Sequence, residues 1–447
     1  MIQIAQILFI LSVLVILHEF GHYIAAKIFK VRVEKFYLFM DAGFSLVKKK
    51  IGDTEWGIGW LPLGGYVKLS GMIDESMDME QMKQEPQPWE FRSKPAWQRL
   101  IIMLGGIIVN IVLAITIYTI MYATVGQKYI ATDVVQQNGL AFGEVGKSVG
   151  FKNGDKIIAI DGNPVQPKFN RVVIDVLLGD KVTIDRNGKT EIITLTDEQK
   201  GKILGSEGRN FTSARFKESI IDSILKKSGA EKAGLKKGDK IVAINGTSFT
   251  YFDEFSDALK LAKKPVEITV IRNNDSIQLK AGTDAEGKLG IFTTSQIDKS
   301  KLEVVNHLSF FNAIPVACKE SWQLLVYNVK QFKLILKPKT GAYKQVKSPI
   351  GIARMLPDVW DWEFIWGFTA LFSIGLAFMN LLPIPGLDGG HALFTIVEMI
   401  TGKTLSEKAS GYVQTGGMII LLSLMALTFE KDIYQLIVDK KKKKKLI

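Results

Sequence analysis

Hydrophobic and polar positions along this chain follow two regimes. Residues 1–29, 99–125, 362–400 and 411–429 hold long apolar stretches, whereas residues 127–297 show the short alternating runs of a soluble protein. A bilayer core of about 30 Å needs roughly 20 apolar residues as a helix, so the long stretches predict four membrane spans. The first is apolar from Ile7 to Leu17 apart from Ser12. In the third, a helix over 364–382 breaks at Pro383 and Pro385, and an apolar helix resumes over 392–400. A Lys-rich tail, 430–447, follows the fourth. Between the first two spans lies a basic loop, 30–98, whose glycine-rich part (56–69) predicts a membrane-associated β-hairpin. Residues 72–88 read as polar and turn-like, and 348–353 as a turn. Residues 303–360 mix aromatic and charged positions, which suits an amphipathic segment lying in the interface.

The soluble region contains a repeat. Gly150-Phe-Lys-Asn-Gly-Asp-Lys-Ile-Ile-Ala-Ile-Asp-Gly162 recurs, 84 residues on, as Gly234-Leu-Lys-Lys-Gly-Asp-Lys-Ile-Val-Ala-Ile-Asn-Gly246. That period is too long for a solenoid unit and predicts two tandem α+β domains, 127–205 and 212–297. The repeated block, with Ala233 before it in the second copy, resembles PDZ domains of the bacterial type. Residues 252–261 then stand for the groove helix. The resemblance implies capture of peptide tails on a sheet edge; a spacer or size filter is the alternative.

The chemistry sits inside the first span. His18 and His22 are one turn apart, so both imidazoles fall on one helix face, and Glu19 lies beside them. This is the H-E-x-x-H arrangement, two metal ligands and a carboxylate able to take a proton from water. A satisfied core histidine is the usual reading of such a residue, but two histidines and a glutamate in lipid are costly without a cavity or partner. Asp388, at the helix break of the third span, has the same need. Catalytic zinc commonly takes three protein ligands; His18, His22 and Asp388 form one candidate set, with Glu19 as general base. His391 competes with Asp388 for the third place. Asn110, midway along the second span, is costly in lipid and is expected to face other helices.

Taken together, His18-Glu19-Phe20-Gly21-His22, the PDZ-like pair and Asn380-x-x-Pro383-x-Pro385-x-Leu387-Asp388-Gly389 resemble the site-2 proteases over almost the whole chain. The resemblance implies a polytopic four-span zinc metalloprotease that hydrolyses membrane-spanning proteins within the bilayer. Its substrates would be anti-sigma factors or signal-peptide remnants, after prior extracytoplasmic cleavage. It implies one zinc on His18, His22 and Asp388, Glu19 as catalytic base, and substrate-binding roles for Asn380, Asn110, Gly64, Gly65 and Tyr66. It also implies a bacterial inner-membrane location, with the active site near the cytoplasmic face and the PDZ-like pair outside. The chain departs from the family pattern at Asp41-Ala42-Gly43-Phe44-Ser45, in the second span, where Gly105-Gly106-Ile107-Ile108-Val109-Asn110 stands for Gly-Pro-x-x-Asn, and in its tail. A catalytically silent PDZ membrane scaffold is the alternative function, and an ion-conducting transporter a more distant one.

Composition changes this picture little. Among 447 residues 23% are charged, and the net charge of +12 owes half its size to Lys440 through Lys445. A lysine run beside a span reads as a lipid-surface or topology feature, and no motif points to nucleic acid. The single cysteine, Cys318, excludes an internal disulfide and a cysteine-ligated zinc. Residues 1–29 lack a basic leader and a cleavage site, and are expected to be retained.

Overall fold

In a computed structural model, residues 2–62, 64–72, 85–206, 211–217, 219–284, 287–294, 302–403 and 407–445 are described. Most of the turn-like stretch 72–88 and residues 295–297 of the second repeat lie outside them. The chain divides into two units.

The first unit comprises Met1–Gly126, His307–Phe332 and Gln345–Ile447. Its helices are α1 (Ile2–Ile28), α2 (Ala96–Thr124), α3 (Phe310–Ile335, of which residues to 332 belong here), α4 (Pro349–Ala353), α5 (Trp362–Leu381), α6 (Asp388–Thr401) and α7 (Glu407–Lys445). Four are long and apolar enough to cross a membrane: α1, α2, α5 and the 411–438 part of α7. Their outward faces carry large apolar side chains such as Ile4, Phe20, Val112 and Leu427, which water would not tolerate but lipid does. Helix α1 crosses α2 where Gly21 meets Gly105: a Cβ on Gly105 would stand 2.6 Å from the Gly21 carbonyl oxygen, so only glycine permits this backbone approach.

Strands β1 (Val33–Leu38), β2 (Met40–Ile51), β3 (Thr54–Leu61) and β4 (Tyr66–Leu69) form one sheet in the order β2-β3-β1-β4. The hairpin is β2–β3, closed at Gly52 (φ +63°), and β4 pairs antiparallel with β1. This corrects the expected hairpin within 56–69: Pro62 ends β3, and the chain then crosses to the other edge of the sheet. Tyr23 of α1 packs on Phe36 and Trp56, whose rings lie 4.5 Å apart, and so seats the sheet against the first helix.

One further expectation is corrected. Residues 349–353 are a helical turn, because the Ser348 hydroxyl caps it by accepting from the Gly351 N–H. Residues beyond 429 continue α7 without a break, since no glycine or proline interrupts them before Lys445. Asp432 on this extension is buried and accepts from the Ser348 N–H at 2.7 Å and the Ser348 hydroxyl at 2.6 Å.

The second unit, Gln127–Asn306 with Lys333–Lys344, is sheet-rich and has two cores. The first centres on Phe142, Phe151, Val182, Ile184 and Phe211, the second on Ile241, Phe255, Ile268 and Val270. Each copy of the repeat makes the same clamp. Arg186 grips Asp155 through Nε and Nη2 at 2.8 and 2.7 Å and donates to the Gly150 carbonyl. Arg272 grips Asp239 at 2.7 Å through both nitrogens and donates to the Gly234 carbonyl. Burial alone would raise the Asp239 carboxyl, but the Arg272 fork and the Lys236 N–H hold it below its ordinary value.

Candidate metal centre

Helices α1, α2, α5 and α6 converge on one polar cluster within the apolar first unit. Among the described residues, His18, His22 and Asp388 are the one group whose ligand atoms approach closely enough to share an ion. The His18 and His22 Nε2 atoms are 3.4 Å apart, and Asp388 Oδ2 lies 3.2 Å from the first and 3.3 Å from the second. A tetrahedral zinc with ligands at about 2.0–2.1 Å has ligand–ligand edges of about 3.3–3.4 Å. The three donors therefore already form one face of such a tetrahedron. Asp388 Oδ2 is buried and accepts no hydrogen bond, although a carboxylate oxygen withdrawn from water needs a partner. Residue types, spacing and this orphaned oxygen all fit zinc. His391, the competing third ligand, stands outside the group.

Local sequence explains the geometry. The i, i+4 spacing stacks the two imidazoles on α1. Pro383 and Pro385 end the chain's passage through α5, and α6 restarts with Asp388 as its first residue. Gly389 and Gly390 allow the turn back: a Cβ on Gly390 would meet the Ile384 carbonyl oxygen at 2.6 Å, and one on Gly389 the Leu381 carbonyl carbon at 2.7 Å. Arg99 of α2 pairs with Glu398 and ties the far part of α6 to α2. Glu19 is half-buried beside His18 on α1, and a Cβ on Gly65 would stand 3.4 Å from its Cγ.

Helix α2 supplies the surroundings of the histidines. The His22 Nδ1–H donates to the Ile102 carbonyl at 2.9 Å. A carbonyl can only accept, so His22 carries its proton on Nδ1 and keeps the Nε2 lone pair for a metal. His18 Nδ1 lies 3.1 Å from the Asn110 side-chain amide. Asn110 is fully buried, with its side chain against His18. Its backbone carbonyl also accepts from Ser373 of α5 at 2.7 Å. Between these contacts lies Gly106, where a Cβ would stand 2.6 Å from both His18 Nδ1 and His22 Nε2. Gly106 and the Ile102 carbonyl escape a motif search, since neither contributes a reactive side chain; the i, i+4, i+8 spacing of Ile102, Gly106 and Asn110 is the available signal.

Asn380 and the Gly64–Tyr66 stretch border the same cluster. The Asn380 amide nitrogen is 3.0 Å from His18 Nε2. Gly65 rests against α1, where a Cβ would stand 2.6 Å from Val15 Cγ1 and 3.4 Å from Glu19 Cγ. The Tyr66 ring stacks on Tyr37, and its hydroxyl donates to Asp41 at 3.0 Å. Ser45 also donates to Asp41, and the Trp60 indole donates to the Ala42 carbonyl. The first part of β2, residues 41–45, thus holds the start of β4.

Comparison with known proteins agrees with this chemistry. The regulator of sigma-E protease RseP of Escherichia coli K12 is 28% identical over 463 residues, which cover 97% of this chain and 99% of that protein. The protease RseP of Yersinia pestis is 28% identical over the same shares of the two chains. A Neisseria meningitidis protein carrying the provisional name zinc metalloprotease is 27% identical, over 96% of this chain and 98% of that protein. The model of peptidase family M50 matches residues 6–424. With a zinc-fitting donor set in a unit that has four helices of membrane-crossing length, and that match over nearly its full length, the chain belongs to peptidase family M50 and is a zinc-dependent metalloprotease.

Proposed function

We propose that this protease cleaves single-pass membrane proteins within the bilayer, with zinc held by His18, His22 and Asp388. The observation that carries this is the triangle of three donor atoms with tetrahedral edges, placed among helices of membrane-crossing length. Zinc held there would supply a Lewis acid for the peptide carbonyl and would lower the pKa of a water so that a neighbouring base can deprotonate it. Glu19 takes the proton from that water and delivers it to the leaving amine. Asn380 faces the same ligand and is placed to donate a hydrogen bond to the substrate backbone.

The substrate arrives as a helix and must unwind, which frees backbone groups that lipid cannot satisfy. Strand β4 stands at an edge of its sheet, with Gly64, Gly65 and Tyr66 at its start and Glu19 behind Gly65. Pairing with that edge replaces the lost bonds. Substrates are of the anti-sigma-factor type or signal-peptide remnants, trimmed first outside the membrane, in a bacterial inner membrane. The RseP name of the relatives supports this class. The two sheet domains are PDZ-like and extracytoplasmic. In the second, strand Ile291–Thr294 ends the strand order of its sheet among the described residues, which supports addition of a peptide tail there.

Glu19→Gln is expected to abolish cleavage of a reconstituted single-pass substrate while retaining about one zinc per chain. Asp388→Ala is expected to lose the zinc and His391→Ala to keep it. Zinc retained in Asp388→Ala would sink the ligand set, and cleavage by Glu19→Gln would sink the base assignment.

A further inference from the structure

The geometry points to Asn110 as a positioning residue: its side-chain oxygen accepts the Nδ1–H of His18 and holds that imidazole in its metal-ligating tautomer. The inference rests on the ligand set proposed above. His18 meets an amide at each ring nitrogen, Asn110 at Nδ1 (3.1 Å) and Asn380 at Nε2 (3.0 Å). A neutral imidazole has one N–H and one lone pair. With Nε2 turned to Asp388 and His22, the lone pair belongs there, so Nδ1 carries the proton and needs an acceptor. His22 solves the same problem with the Ile102 carbonyl. Asn110 is the matching acceptor for His18, one helix face and two turns further along α2.

The Asn110 amide as placed brings its nitrogen toward Nδ1 and leaves Oδ1 buried without a hydrogen bond. A half-turn about its terminal torsion exchanges the two atoms with almost no change of shape. It delivers the stranded oxygen to the one N–H that lacks an acceptor. Metal-ligating histidines depend on such partners, whose loss typically costs about 10–100-fold in metal affinity.

The test is zinc retention by full-length protein in detergent, titrated with a competing chelator, for wild type, Asn110→Asp, Asn110→Leu and His18→Ala. Aspartate offers acceptors only, whereas leucine offers neither acceptor nor donor. Expected is a loss of about 10–100-fold in zinc affinity for Asn110→Leu, and affinity within a few-fold of wild type for Asn110→Asp. The visible spectrum of the cobalt-loaded Asn110→Asp protein should keep the wild-type band pattern, a readout that packing alone does not control. Wild-type affinity in Asn110→Leu would overturn the assignment. So would equal losses in the aspartate and leucine variants, since the donor would then be what matters. If Asn110→Leu does not fold, Asn110→Asp still decides. Unchanged zinc in His18→Ala would instead fault the underlying ligand set.

Discussion

Replacing Gly106 by alanine should separate zinc binding from folding. The added methyl would stand 2.5 Å from His18 Cε1 and 2.6 Å from both His18 Nδ1 and His22 Nε2. Comfortable carbon contacts begin near 3.5 Å, so the rings or α2 must retreat by about 0.9 Å. Zinc sites tolerate displacements of about 0.2 Å in ligand distance. The donor triangle therefore opens beyond what one ion can bridge, and zinc affinity should fall at least as far as the about 10–100-fold seen for lost outer partners. Folding should suffer less. Overpacking costs about 1–3 kcal/mol, but alanine gains about 1 kcal/mol over glycine inside a helix, leaving a net cost of about 0–2 kcal/mol. The assay is chelator-titrated zinc content beside thermal unfolding of the zinc-free protein, with Gly375→Ala as control. Gly375 lies on α5 with nothing within 4 Å of a Cβ, so that variant should keep its zinc. Gly106→Ala holding zinc as tightly as wild type would refute the reasoning.

Gly65→Val should abolish proteolysis yet keep zinc, because its side chain would drive β4 off Val15 and the Tyr37 carbonyl without touching the ligands; parallel cleavage and metal assays check it, and joint loss of both would count against a separate strand-handling role. Asp432→Ala strands the Ser348 N–H and hydroxyl, so stability should drop by about 1–3 kcal/mol, read as a lower unfolding temperature with early protease nicking near residue 350. In the second repeat, the depressed Asp239 carboxyl contributes stability that is complete above its unfolded value of about 3.9 and is lost as pH falls through its folded value. Hydrogen exchange over 266–281 should thus quicken below about pH 4 in wild type, and Asp239→Asn should flatten that dependence while costing on the order of 3 kcal/mol at neutral pH by leaving Arg272 without its partner.

What the sequence reveals here follows from how directly a residue's chemistry betrays its surroundings. His18, His22, Glu19 and Asp388 stand out because ionisable groups in apolar segments need partners, and the described structure brings the two histidines and Asp388 together. The four membrane helices were legible for the same reason, since lipid imposes length and composition. The sheet pairing of 33–69 was not. Pro62 and the glycines after it announce a break, but they do not say that β4 crosses to pair with β1 rather than folding back on β3. The helical continuation past residue 429 was hidden by charge, which marks the end of a span but not the end of a helix. Asp41 departs from the family pattern and Tyr66 is a candidate site residue, yet their hydrogen bond depends on a strand order that the sequence leaves open.

Helix α2 contributes no metal ligand and yet sets the orientation of both histidines. Lipid offers no water to satisfy an imidazole N–H, so each ligating histidine must find its acceptor on a neighbouring helix. His18 and His22 are one turn apart, about 6 Å along α1, whereas Ile102 and Asn110 are two turns apart, about 12 Å along α2. Two directional features close that gap. A helical carbonyl points toward the C-terminus, which carries the Ile102 oxygen forward, and a helical side chain leans toward the N-terminus, which brings the Asn110 amide back. Both acceptors thus converge on the turn at Gly106, where the missing side chain leaves room for the two rings between them. An acceptor, a gap and an acceptor at fourfold spacing orient two histidines with one main-chain and one side-chain group. Moving Asn110 by a single position would rotate its amide by about 100° around α2 and leave His18 with no acceptor.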